Sequence, residues 1–209
     1  AIATYSNTDF ELKNGAINLN LRQSLSKMQD LSIDLDALKY DINNDQVFTN
    51  KLLAAGGYSR GSVAAIPSSL KILAAKIDHT IRFGKKHKLE SGFKSSSIST
   101  DNIADYQLFD GTSFSEDLNK SNHFLYKENI NALYSSLETK FGKFNIQAGL
   151  RYENTYYDAH QLGNSIKPDS AFSRTYSNLF PSGYISYEVD SLNTFSFTAS
   201  RRIDRPAYQ

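Results

Sequence analysis

The stretch DINND, residues 41–45, spaces carboxylate and amide oxygens like the first half of a calcium-binding loop. An EF-hand loop also needs Gly at its sixth position and Glu at its twelfth. Those positions hold Gln46 and Leu52. We therefore interpret the stretch as a solvated loop and predict no calcium site.

The histidines do not form a zinc site. The four are His79, His87, His123 and His160, and none lies at a zinc-ligand spacing from another. The chain has no Cys, which excludes disulfides, thiolate metal sites and Cys nucleophiles. His79 falls on the apolar side of its segment, so we expect a packed or interfacial histidine. We predict no metal and no cofactor.

Catalytic constellations are equally absent from the sequence. Asp34 and Asp36 share one face of an alternating segment and could act as an acid–base pair. We favour the simpler explanation, in which Lys or Arg residues across a polar interior neutralise them. A serine hydrolase would need Ser, His and a carboxylate or carboxamide oriented together, and the chain has no G-x-S-x-G motif. We predict no catalytic residue and no enzyme activity.

The charge balance gives no reason to expect a nucleic-acid partner. Lys and Arg number 23 and Asp and Glu number 22, for a net charge of +1. The cluster Lys85, Lys86 and Lys88 fits a short solvated turn better than a track for phosphates. Arg82, Arg151, Glu153 and Arg202 lie on polar faces of predicted strands, and none has a sequence context that identifies a ligand-binding residue.

The elements that carry these residues are strands. In FGKFNIQAGLRYENTYY, residues 141–157, Phe144, Ile146, Ala148 and Leu150 alternate with polar residues. A period of two is the mark of a strand with one apolar and one polar face. The other segments with this pattern are 15–26, 30–42, 70–83, 88–100, 125–141, 183–189 and 194–202. We predict an all-β, antiparallel fold of about eight strands, with a bulge in 125–141, where the apolar phase changes.

The connections favour a barrel in an outer membrane. Short turns alternate with long polar links, which we place at 43–68, 101–123 and 158–179. Transmembrane β-barrels have short periplasmic turns, long outer loops and aromatic residues at both membrane interfaces. The aromatic residues beside the short turns are Phe83, Phe141, Phe144, Phe195 and Phe197, and those toward the links are Tyr40, Tyr126, Tyr152, Tyr156 and Tyr157. A soluble sugar-binding β-sandwich is the alternative, and it requires two packed sheets.

The second half of the chain resembles a known family. FLYKENINALYSSLETKFGKFNIQAGLRYENT, YSNLFPSGYISYEVD and SFTASRRIDRPAYQ resemble outer-membrane β-barrels of TonB-dependent-receptor type, which are common in Bacteroidetes. The most typical pieces are KFGKF…AGLRYE, NLFPS and SRRIDRP. SNHFLYKEN and KLESGFK also fit, and IDLDALKYD fits more loosely.

The resemblance implies a transporter of the outer membrane of Gram-negative cells. Such proteins carry a plug domain before the barrel and import nutrients with energy passed on by TonB. The chain shows no plug-like segment, so we expect residues 1–209 to be one internal section of a larger barrel. Expected partners are lipid, lipopolysaccharide, the plug, the remaining strands and an external ligand that the sequence does not identify. We also expect the isolated section to self-associate. A complete small barrel with a structural or adhesion role remains an alternative.

Overall fold

The structure, a computed structural model, describes residues 1–54, 56–57 and 59–202. These residues form ten strands in one antiparallel sheet. The strands are β1 (Ile2–Ser26), β2 (Gln29–Leu52), β3 (Ser59–Ala65), β4 (Ser68–Phe83), β5 (His87–Phe109), β6 (Phe114–Glu116), β7 (Asn122–Phe141), β8 (Phe144–Leu162), β9 (Ser170–Glu188) and β10 (Thr194–Ser200). The predicted all-β antiparallel class is confirmed. In the part of the chain described here, no helix is long and apolar enough to cross a membrane.

The ten strands exceed the predicted number of about eight, because two strands are interrupted. β3 and β4 both pair with β2, one along 45–51 and the other along 29–42. Ile66 and Pro67 separate them, and proline has no N–H to donate to a ladder. β6 and β7 are likewise two lengths that follow one another along β5. The sheet is therefore eight strand positions wide.

The alternation of short and long connections is confirmed. The turns at 27–28, 84–86, 142–143 and 189–193 all lie at one end of the sheet, and the longer connections lie at the other. Gly84 and Gly142 have φ values of 62° and 59° in two of the short turns. Glycine adopts this left-handed backbone without steric cost, whereas other residues do not.

The predicted loop lengths were wrong. Most of 43–68, 101–123 and 158–179 is strand, because β2 and β5 continue to Leu52 and Phe109, and β9 begins at Ser170. β1 similarly begins at Ile2 rather than at residue 15. The hydrogen bonds between strands join backbone groups, so a strand forms whatever its side chains are. Where polar residues interrupt the apolar face, the sequence shows no alternation from which the strand could be predicted.

The predicted bulge in 125–141 was also wrong. β7 keeps a constant register with both β5 and β8 along this segment. Its two apolar sets instead face opposite sides, so Ala132 and Tyr134 lie on one face and Leu133 and Leu137 on the other. The register shift within β1 lies between Ser24 and Ser26.

The two faces of the sheet differ in crowding. Register partners share a face, and the buried residues within strands all fall on the face opposite Leu150. They are Ala64, Glu128, Ala132, Thr155, Ala159 and Ser186. Crowding on one side of a single sheet marks its concave side. We call this side the inward face. The opposite side, which carries Leu150, is the outward face. The described strands form one sheet, so the β-sandwich alternative, which requires two, is wrong.

Candidate functional site on the inward face

A tyrosine ties three strands together on the inward face. Tyr134 of β7 pairs in register with Gly92 of β5. Its ring lies over that glycine and its hydroxyl donates a 2.6 Å hydrogen bond to Oδ1 of Asp78 on β4. Asp78 also forms a 2.5 Å ion pair with Lys76. A side chain at position 92 would block this path across β5.

Arg151 of β8 extends the network to a fourth strand. Its guanidinium lies 5.3 Å from the centre of the Tyr134 ring, a cation–π distance. Its Nε donates a 2.6 Å hydrogen bond to Glu153, whose side chain is only 12% exposed. The predicted polar-face position of Arg151 and Glu153 is confirmed. Their charges neutralise one another within the sheet.

Within the described residues, Asp34 and Asp36 form no ion pair with Lys or Arg, and their neutralisation by residues across the interior stays a prediction. Both face inward, but each accepts a hydrogen bond from an asparagine of β1, Asn20 for Asp34 and Asn18 for Asp36. Among the acids of this region, Asp30 forms an ion pair with Arg82, whose Nη1 lies 2.6 Å from Oδ2 of Asp30. A groove of about 740 Å³ lies over this surface. Its lining includes Arg22, Asp30, Asp34, Lys76, Asp78 and Tyr134.

The outward face carries an apolar band beside the short turns. The band spans 73–83 of β4, 133–141 of β7 and 144–152 of β8, which is about the nine to eleven residues that a strand needs to cross a hydrocarbon core. Large apolar side chains stand exposed along it, among them Leu73, Leu133 and Leu150 at 60%, 62% and 51%. His79 lies on this face, as predicted, and its Nε2 is buried without a hydrogen-bond partner among the described residues.

Beyond this band the polarity of the two faces is exchanged. Toward the long connections the outward face becomes polar, with Lys39, Lys71 and Asn154. The inward face becomes apolar over the same stretch, with Leu38 and Ile72 in register. We call this part of the sheet, from the end of the band to the long connections, the collar. Along the described strands, the outward face is thus predominantly apolar over a length that matches the hydrocarbon core of a membrane.

The exchange corrects the predicted aromatic bands. The five predicted phenylalanines face outward beside the short turns, and Tyr152 and Tyr156 also face outward. Tyr40, Tyr126 and Tyr157 were expected on the same side, but they face inward. The sequence pattern missed this because the tyrosines were assigned by their distance from the turns rather than by their phase.

The inward-facing rings form a cluster in the collar. Tyr157 lies 6.1 Å from Tyr126, 6.0 Å from Phe172 and 6.3 Å from Tyr176, with the last two edge to face. Aromatic pairs at such distances and angles attract one another. Thr155, on the same face, is 1% exposed and its hydroxyl has no hydrogen-bond partner among the described residues. The collar therefore offers a mostly apolar, aromatic inner surface.

Two aspartates order the connections. Asp110 accepts hydrogen bonds from the backbone N–H groups of Ser113 and Thr112, at 2.9 and 2.8 Å, and these bonds lower the pKa of Asp110 to about 2. In a short turn, hydrogen bonds from Asn193 lower the pKa of Asp190. Carboxylates that bond forward to the backbone in this way stabilise tight turns.

No metal centre is formed by the described residues, where no group of three or more His, Asp or Glu side chains comes together. The stretch 41–45 lies within β2 rather than in the predicted loop, and Asp41 binds Lys39 and Ser69. His123 and His160 each contact an aspartate, at 2.8 and 3.5 Å.

Sequence reasoning missed the contact of Tyr134 with Gly92 and Asp78. The available signal was Gly92 itself, because a glycine inside a strand often marks a place where another group approaches the backbone closely.

Comparison with known proteins identifies the family. The model of the outer membrane protein beta-barrel family matches residues 22–209. The chain belongs to this family. Its place is therefore the outer membrane, as predicted, and in a member of this family the apolar band contacts lipid while the inward face lines the barrel. No curated protein matches the chain.

Solved barrels of receptors share the fold. The siderophore receptor PiuA from Acinetobacter baumannii aligns with a TM-score of 0.60 at 13% identity, over 87% of this chain and 31% of that one. The closed form of the ferric-catecholate import receptor Fiu from Escherichia coli K12 aligns with 0.62 at 10%, over 87% and 31%. The ferric yersiniabactin uptake receptor FyuA from Yersinia pestis aligns with 0.53 at 10%, over 86% and 36%.

These matches confirm the predicted resemblance at the level of the fold. The chain spans about a third of the length of the receptors it matches. All three are receptors or importers by name, and none is named as an enzyme. The residues 203–209, which complete the SRRIDRP motif, lie outside the described part of the chain.

Proposed function

We propose that the chain is an internal section of the wall of a larger outer-membrane barrel, and that this barrel imports nutrients with energy from the TonB system. One observation carries the proposal: within the described residues, β1 and β10 each pair on one side only. An unpaired edge offers free N–H and C=O groups to another strand, and such groups are costly in lipid. In the complete barrel, further strands satisfy both edges.

The width of the sheet supports a wide barrel. Barrels of plugged outer-membrane transporters have about 22 strands, whereas an eight-stranded barrel leaves an interior that its own side chains fill. Here the inward face carries a groove and a charged network rather than a packed core. We infer that this network faces a plug domain in the full-length protein.

The collar is the proposed contact for an external ligand. Its inward rings, Tyr126, Tyr157, Phe172 and Tyr176, stand beyond the band on the side of the long connections. Aromatic surfaces with a few polar groups are typical of ligand sites. The proposed role is binding and passage, without reaction chemistry and without a cofactor.

Transport is tested in the organism that carries the gene. Uptake of ⁵⁵Fe supplied as a ferric catecholate, and of a panel containing cobalamin and oligosaccharides, is compared between the parent strain, a deletion strain and a strain lacking TonB. We expect both deletions to reduce the uptake of one substrate equally. Unchanged uptake of the whole panel, together with a permanently conducting pore in planar bilayers, would instead indicate a passive barrel.

The open edges also lead us to propose that the isolated section self-associates. The outward band exposes apolar side chains, and large exposed apolar patches drive association. Sedimentation of the 209-residue chain in dilute, detergent-free buffer should show dimers or larger species. A folded monomer would favour the alternative of a small complete barrel with a structural or adhesion role, in which β1 closes on β10.

A further inference from the structure

The charged side chains of the collar are sorted between its two faces. The outward face carries most of the carboxylates, namely Asp9, Glu11, Asp41, Asp45, Asp101, Asp105, Glu116 and Asp158. Along the described collar strands the inward carboxylates are Glu128, which is 3% exposed, and Glu153, whose 12% exposed side chain is held by Arg151. The inward face also carries Arg60 and Arg174. A solute inside the collar therefore meets a wall whose exposed charge is positive.

Arg174 stands among the aromatic rings of the inward face. It is the register partner of Tyr157, and Phe172 and Tyr176 flank it on the same face of β9. Arg174 is exposed, and it forms no salt bridge with any described residue. A guanidinium group keeps its charge at every pH that a folded protein meets. The aromatic cluster of the collar thus contains a permanent positive charge that is open to a ligand.

An aliphatic strip continues from the rings across the sheet. Leu38, Ile72 and Ile98 are register partners on β2, β4 and β5. The same row passes through the buried Glu128 to Tyr157 and then to Arg174. One end of this row is apolar and the other end is cationic, so the inner wall matches a ligand that has an apolar body and an anionic group.

We propose that the collar binds an organic anion, whose apolar ring system packs against Tyr157, Phe172 and Tyr176 and whose carboxylate binds Arg174. The planar guanidinium donates two parallel hydrogen bonds to a carboxylate, which makes this pairing strong and specific in its geometry. A neutral ligand would leave the charge of Arg174 uncompensated, and a cation would be repelled by it. The inference rests on the proposed function, in which the collar contacts the external ligand, and it names the class of that ligand.

The test is a calorimetric titration of the full-length protein in nanodiscs with three probes that share one ring system. The probes are 2-naphthoate, 2-naphthamide and 2-naphthylmethylammonium, which are negative, neutral and positive at neutral pH. Empty nanodiscs correct for partition of the probes into lipid. The variants are Arg174→Gln, Arg174→Lys and, as the matched control, Lys127→Gln. Lys127 is an exposed cation of β7 on the outward face of the collar, so its removal changes the charge but not the inner wall.

The wild type should bind 2-naphthoate about tenfold more tightly than 2-naphthamide, because only the carboxylate accepts charge-assisted hydrogen bonds from Arg174. The ammonium probe should bind most weakly. Arg174→Gln should bind 2-naphthoate no better than 2-naphthamide, whereas Arg174→Lys should keep a preference for the anion and Lys127→Gln should match the wild type. Unchanged binding of 2-naphthamide by Arg174→Gln would show that the aromatic surface of this variant is intact.

Three results would overturn the proposal. They are equal affinity of the wild type for 2-naphthoate and 2-naphthamide, an anion preference that survives in Arg174→Gln, and no binding of 2-naphthoate at millimolar concentration. The titration needs neither TonB nor transport across the membrane. A failure of the transport proposal therefore leaves the binding measurement interpretable, and the uptake experiment is equally independent of the naphthyl probes.

Discussion

Tyr134 lies directly over Gly92. The two residues are register partners on β7 and β5, and a Cβ atom at position 92 would meet the Tyr134 ring at 2.5 Å. Because the glycine leaves this space open, the ring crosses β5 and its hydroxyl reaches Asp78 on β4 at 2.6 Å. The contact joins three strands by side chains, in addition to the ladder that joins their backbones.

Gly92→Ala should displace the ring and break the bond to Asp78. Inserting a methyl group into occupied space costs about 1–3 kcal/mol. Urea unfolding of the full-length protein in lipid vesicles measures the loss. Gly183→Ala is the matched control, because a Cβ atom there would meet nothing within 4 Å. Equal stability of the two variants would show that the ring does not depend on the glycine.

The face assignment predicts opposite outcomes for arginine at two nearby positions. Leu150 faces lipid within the band, and an arginine near the middle of a membrane costs about 2–4 kcal/mol. Gln147 lies on the inward face of the same strand, so Gln147→Arg should have little effect. Folding yields into vesicles compare Leu150→Arg with Gln147→Arg. A larger defect for Gln147→Arg would reverse the two faces of the sheet.

The sequence predicted the parts of the fold in which side chains alternate in polarity. For segment 144–152 the alternation predicted both the strand and the face on which Leu150 lies, because only one face of this segment is apolar. The outer part of the collar, including 43–52 of β2 and 101–109 of β5, was predicted as loop because polar residues interrupt the alternation there. The inner part, which holds Leu38 and Ile72, lies in the segments 30–42 and 70–83 that were predicted as strands, but its apolar inward surface becomes recognisable only when register aligns these residues.

The contacts of the candidate site could not be predicted from the sequence, because they depend on the register between strands. Tyr134, Asp78 and Arg151 come from three strands and are distant in sequence. No local pattern brings them together, because the pairing of β4, β5, β7 and β8 sets their contacts. The position of Arg151 on a polar face could be predicted, whereas its stacking on Tyr134 could not.

Sidedness is tested by labelling single cysteines placed in the full-length protein, in which residues 1–209 contribute no native Cys. Ile166 lies in a long connection and is 51% exposed, and Leu192 lies in a short turn and is 92% exposed. A membrane-impermeant maleimide added to intact cells should label Ile166→Cys and leave Leu192→Cys unlabelled until the outer membrane is opened. Labelling of Leu192→Cys alone would invert the topology.

The connection after β5 should respond to acid at low pH. Asp110 has a pKa of about 2, below its usual value of 3.8, because its carboxylate accepts backbone hydrogen bonds. A lowered pKa means that the charged form stabilises the folded loop at pH values above 3.8, and that this contribution is lost as the pH falls through about 2. Carboxyl ¹³C shifts in detergent micelles should give that midpoint. A midpoint near 3.8 would mean that Thr112 and Ser113 do not donate these bonds.

β1 and β10 are proposed to pair with further strands in the full-length barrel. Amide hydrogen exchange tests this pairing most directly, because alternate N–H groups of an edge strand point away from its single neighbour. In the isolated chain in detergent, alternate amides of Ile2–Ser26 and Thr194–Ser200 should exchange fast, and in the full-length protein in membranes the same amides should exchange slowly. Equally slow exchange in both samples would show that the two edges already pair with each other, and would contradict the claim.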